Sequence, residues 1–203
     1  MTLRRRRRRL QGIGSGPGLP TNLLSSPLDF SSGDWSRNGY QVPVFFPFGL
    51  GIPAWTFEET ANASAHSISQ AVMGVTGSIL TGAVWLGHTG KTKFAFTLVL
   101  GSEYCEVEAN ISAETIIATF KSPGATVLGL DLALYKPPGA GIMHGIRLAV
   151  SFTGGAGLGA LFQIQGLDET TDAENYLGDP LLIHRMAYPV LCTGNRSLSD
   201  IYQ

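Results

Sequence analysis

The chain has 203 residues, of which 44% are hydrophobic and only 14% charged, against about 25% charged in ordinary soluble domains. This excludes a wholly disordered chain, a coiled coil and a highly charged helical bundle, and it fits one domain with a tail better than two full domains. The formal charge of −1 conceals a split: Arg4, Arg5, Arg6, Arg7, Arg8 and Arg9 form an arm of +6, joined to a body of −7.

Six adjacent guanidinium groups repel one another and cannot enter a core, so the run predicts an arm that orders only against phosphate. With no base-reading feature beside it, such binding is sequence-independent. A nuclear-import signal and a cationic face for anionic membrane are the alternatives. No apolar secretory core follows, because the run leads into Gln11-Gly12-Ile13-Gly14-Ser15-Gly16. Residues 10–40 are dominated by Gly, Ser, Pro and Asn, with Leu23, Leu24, Phe30 and Trp35 as the few apolar anchors. That composition describes an extended linker laid on a surface.

Beyond it the pattern changes. Val44, Phe45, Phe46 and Phe48 form a first strand, confined to an edge or bulge by Pro43 and Pro47. A helix is expected over Ser67–Met73, opened by Ser64 or Ser67 and cut off at Gly74. Ile79–Leu86 reads as a strand. Phe94, Phe96, Leu98 and Leu100 then alternate with Ala95, Thr97 and Val99, and Cys105, Val107, Ala109 and Ile111 alternate with Glu106 and Glu108. Ile116–Phe120 is a short β-branched run. Leu128–Leu134, Ile146–Phe152 and Phe162–Gln165 repeat the period of two. Turn formers at Gly101-Ser102, Ser122-Pro123-Gly124, Pro137-Pro138-Gly139 and Gly154-Gly155-Ala156-Gly157 separate the runs. Eight such segments without helical crossovers predict an all-β fold, an eight-stranded antiparallel jelly-roll sandwich. The expected divisions are a basic arm over 1–40, the sandwich over 41–167, and an acidic loop and tail over 168–203.

Candidate chemistry is sparse. Gly90-Lys91-Thr92 lacks the preceding Gly of a phosphate loop and leads into a strand rather than a helix. His66, His88, His144 and His184 have no ligand spacing, and no nucleophile elbow is present. Asp168, Glu169, Asp172, Glu174 and Asp179 form an acidic segment that reads as a solvated loop, with a bound cation as the alternative. Cys105 and Cys192 read as buried thiols. No catalytic residue, metal or cofactor is expected, and no enzyme activity. Ala71–Leu86, broken by Gly74, Gly77 and Gly82, falls short of a membrane span.

An N-terminal Arg run, a Gly/Ser/Pro linker and about eight alternating strands together resemble the coat protein of a small icosahedral plant virus. The tract Ile79–Gly87 leading into Lys93–Leu100, and Met143–Phe152 followed by Ala160–Gln165, are similar to segments of picorna-like, secovirid or comovirus-like, capsid subunits. Gln203 matches the residue a 3C-like protease would leave. The resemblance implies a structural subunit that self-assembles with the same or related subunits. It further implies that the Arg run touches viral genomic RNA, without membrane contact, in the virion and in the host cytoplasm during assembly. The alternative is a cellular β-sandwich binding module, lectin-like or nuclear, with a basic import tag.

Overall fold

The computed structural model describes residues 20–48, 52–58, 66–88, 92–135, 143–154, 157–167 and 183–202. The first strands are β1 (Ser36–Asn38), β2 (Val44–Phe48), β3 (Ile52–Glu58) and β4 (His66–Val75). Next come β5 (Ile79–His88), β6 (Lys93–Leu100), β7 (Glu103–Asn110) and β8 (Thr115–Lys121). The last are β9 (Ala125–Tyr135), β10 (Met143–Phe152), β11 (Leu158–Gly166) and β12 (Ile183–Thr193), followed by a single helical turn, α1 (Leu198–Ile201).

The strands form two six-stranded sheets, a front sheet ordered β1-β4-β11-β6-β7-β8 and a back sheet ordered β2-β3-β12-β5-β10-β9. All pairings are antiparallel. The chain crosses between sheets repeatedly and returns beside itself, so that β11 lies next to β4 and β10 next to β5. This is the jelly-roll winding expected from the periodicity, here with twelve strands among the described residues rather than eight.

Period two explains the packing. Phe94, Phe96, Leu98 and Leu100 of β6 meet Ile146, Leu148 and Val150 of β10 inside one core, joined by Cys105, Val107, Ala109, Phe162 and Ile164. At its centre Gly82 lets the sheets approach: a Cβ there would lie 2.7 Å from Phe96 and 2.8 Å from Leu98. Leu24, Phe30 and Trp35, the apolar anchors of the N-terminal linker, are buried in this same core. Phe30 packs against Trp35 with tilted rings at 4.6 Å and meets Phe57 edge-on at 5.2 Å. Leu23 N donates to Leu191 O at 2.7 Å, and Ser25 N donates to Gln70 Oε1 at 2.8 Å. Residues 22–35 therefore close one side of the sandwich with the chain's own side chains.

The helix expected over Ser67–Met73 is instead most of β4. His66, Ile68 and Gln70 face inward while Ser67 and Ser69 face out, a period of two that the Ser cap signals disguised. Among the described residues no helix is long and apolar enough to cross a membrane.

Candidate functional site

The two sheets differ on their outer faces. On the back sheet the outward residues Thr81, Ala83, Arg147 and Cys192 are all buried. Residues 194–202 cover them. Thr81 Oγ1 donates to Gly194 O at 2.6 Å and accepts from Arg196 N at 3.1 Å. Arg147 pairs with Asp131 at 2.5 Å and donates to Asn195 and to the Arg196 carbonyl. A Cβ on Gly129 would collide with the Arg147 guanidinium, so glycine there leaves its path open. α1 is held by a capping box between Ser197 and Asp200, and the Ser197 hydroxyl holds the Asp200 carboxyl below the usual carboxylate range. Ile201 packs with Ala83, Val190 and Cys192. Tyr202 donates to Tyr188 O at 2.7 Å and lies 5.4 Å from Trp85. Burial raises the Tyr202 phenol and pushes the Cys192 thiol up to about 11.

The front sheet has no such cover among the described residues. Its inward positions are fixed by the core, so strand alternation sends the intervening side chains outward. Register then aligns them in lanes across the sheet. One lane runs through six strands: Ser36, Ser69, Gln163, Thr97, Glu106 and Phe120. The lane beside it runs Asn38, Ser67, Gln165, Ala95, Glu108 and Ala118. On its other side lie Ala71, Leu161, Val99 and Tyr104.

The middle of this face is sunken. Ala95 and Thr97 point away from the core yet are only 1% and 8% exposed; the register sets Gln165 and Glu108 on either side of Ala95, and Gln163 and Glu106 on either side of Thr97. Thr97 Oγ1 donates to Glu106 Oε2 at 2.8 Å, which orients that carboxylate along the lane. Tyr104 and Phe120 stand at the β7–β8 end, 43% and 48% exposed. Amides, carboxylates and hydroxyls offer donors and acceptors at intervals of about 4.8 Å, the strand spacing, so the lane extends about 24 Å. The aromatic rings add apolar planes at one end.

Arg4 through Arg9, the predicted nucleic-acid contacts, lie outside the described residues, as do Asp168, Glu169, Asp172, Glu174, Asp179 and Gln203. Among the described residues no group of three or more His, Cys, Asp or Glu could hold a metal ion. His66 and His144 are buried, and the β5–β12 register sets His88 opposite His184. The outward lane was absent from the sequence reading. Its only signal there was Gln163 and Gln165, Thr97, and Glu106 and Glu108 at the polar phases of three strands.

No family model and no curated protein matches the chain. Among solved structures it resembles the enzymatically active domain of tailspike protein 4 from bacteriophage CBA120, with 10% identity and a TM-score of 0.45 over 85% of this chain. The chain spans about a fifth of that protein's length (21%). It also resembles the CBM22-2 xylan-binding domain of Paenibacillus barcinonensis Xyn10C, with 10% identity, a TM-score of 0.45, and 83% of this chain and 97% of that one covered. A third is the mannan-recognising module TmCBM27, with 13% identity, a TM-score of 0.40, and coverage of 82% and 95%.

The coat-subunit reading is corrected here. The structures found beside the chain are carbohydrate-binding modules and a tailspike domain, and none of these three is a capsid protein. The physical premise also changes. A shell subunit would account for the low charge by covering its flanks with neighbouring subunits. In the structure, uncharged Ser, Thr and Gln on the front face account for part of it, and residues 194–202 cover the back face.

Proposed function

We propose that the chain is a non-catalytic binding module that holds a neutral polysaccharide on the outer face of its front sheet. The observation that carries this reading is the in-register lane through Gln163, Thr97 and Glu106, with a sunken floor of small residues and exposed Tyr104 and Phe120 at one end. Sugar rings present hydroxyls at their edges and C–H groups on their faces. Amide and carboxylate groups match the first, and aromatic planes match the second. A lane open at both ends suits a chain molecule lying along it, whereas a small ligand would be enclosed. Glu106 and Glu108 in the middle of the face disfavour uronic acids and favour uncharged sugars.

Xylan and mannan, named as ligands of two proteins with this fold, are the first polymers to test. Affinity electrophoresis in gels containing xylan, mannan or an uncharged glucan should retard the full chain, and Gln163→Ala with Tyr104→Ala should restore its mobility. Losing one hydrogen bond and one ring contact weakens binding roughly tenfold or more. Unretarded migration in every neutral polymer would overturn the reading.

A further inference from the structure

We infer that two copies of this chain pair edge to edge through β8, joining their front sheets into one twelve-stranded sheet. Each sheet has two edges, and natural proteins block exposed edges. β1 has only three residues, β2 follows directly on Pro43 and carries Pro47 within it, and β9 carries Gly129 and the charged Asp131 at its middle. β8 has none of these protections. It runs for seven residues, Thr115-Ile-Ile-Ala-Thr-Phe-Lys121, without Pro or Gly, and every residue except Ala118 is exposed. Ile116, Ile117 and Phe120 count among the large apolar residues left in solvent.

The backbone bonding says which groups are open. Ser122 N donates to Tyr104 O at 3.0 Å. Antiparallel ladders alternate bonded and non-bonded pairs, so Phe120 and Ala118 turn their N–H and C=O groups toward β7. Thr119 and Lys121 turn theirs to the free edge, beyond the bulge that falls between Glu108 and Ala109.

A partner strand must therefore bond at Thr119 and Lys121, and a second β8 fits that requirement when rotated about an axis through Thr119. On the outer surface Phe120 of one copy then lies beside Ala118 of the other, large against small, and the same pair repeats across the axis. On the opposite surface Lys121 lays its aliphatic stem against Ile117. A parallel pairing would instead set Lys121 against Lys121, a like-charge contact. Beneath the seam β8 lies against β9, whose Leu128 and Leu134 are exposed.

The seam sets both front faces on the same side, so the lane ending at Phe120 in each copy runs on into the lane ending at Ala118 in the other. If the polysaccharide reading holds, on which this one clause rests, the dimer presents a doubled site to a long chain and gains by avidity.

Sedimentation velocity on the full chain without sugar tests the pairing. The expected result is a mass that doubles as concentration rises through the micromolar range. Thr119→Pro removes a free-edge N–H without touching the β7 ladder, and Ile117→Lys places charges at the seam. Each should remain folded by circular dichroism and sediment as a monomer, with association weakened at least tenfold. A wild-type chain that stays monomeric throughout, or a dimer that survives both substitutions, overturns the inference. A dimer with no affinity for any neutral polymer would leave the seam standing and overturn the binding face alone.

Discussion

The outer faces of the two sheets begin from the same rule and end differently. Both belong to strands whose inward residues are committed to a single core, and both present small residues at the centre: Ala95 and Thr97 in front, Ala83 and Thr81 behind. On the back face those small residues make room for Ile201, Tyr202 and the Arg147 guanidinium, so the floor is filled by the chain itself. On the front face the same kind of floor is walled by glutamine and glutamate side chains, with no covering segment among the described residues. The back floor has become a second core, whereas no described segment lies over the front one.

The largest test of this contrast is Ile201→Ala, which opens a cavity on the back face only. It should cost about 2–4 kcal/mol of unfolding free energy, read from denaturant titration. The Cys192 thiol, held at about 11 by burial, should then react faster with an alkylating reagent. If stability is unchanged, the C-terminal segment is an ornament rather than a cover.

Next in size is Ala95→Leu, which fills the front floor. Ala95 is only 1% exposed, so the added bulk should cost about 1–3 kcal/mol of stability, while polysaccharide affinity falls at least tenfold in the same gels. Loss of fold in place of loss of affinity would mean that the floor is structural.

Thr97→Val is smaller. It removes the hydroxyl that donates to Glu106 and should weaken binding by about 1 kcal/mol, as read by calorimetry, with the unfolding midpoint nearly unmoved.

The smallest effect concerns neither face. The Gly154 N–H, helped by the Thr153 hydroxyl, lowers the Glu103 carboxyl from 4.5. A lowered carboxyl stabilises the fold fully above its unfolded value, and that contribution is lost as pH falls below about 4.5 through the folded value. Glu103→Gln should therefore flatten the acid limb of stability below pH 5 and leave both faces as they are. A parallel shift at pH 7 and pH 3 would contradict the assignment.

Much of the sandwich was legible because its central strands alternate cleanly. Phe94 to Leu100, Cys105 to Ile111 and Ile146 to Phe152 put their large residues on one side, and each lies where that pattern placed it. β4 was hidden because two of its inward positions are His66 and Gln70, polar residues that break the apolar period. β12 was hidden because it runs between β3 and β5 with Ala187, Val190, Leu191 and Cys192 all buried, so no polar phase shows. The left-handed Tyr188, with φ of 49°, and the register shift between Ala187 and Val190 interrupt what alternation remains. The lane was illegible for a different reason. Ser36, Ser69, Thr97, Glu106, Phe120 and Gln163 come from six strands and become neighbours only through register, which no local motif records.

Amide chemical-shift mapping with a soluble neutral oligosaccharide, xylan- or mannan-derived, tests the central claim most directly. The account predicts shifts concentrated at Thr97, Glu106, Glu108, Gln163 and Gln165, and none at Ala83, Arg147 or Ile201. Shifts clustered on the back sheet, or none on either sheet with every neutral sugar, would contradict it.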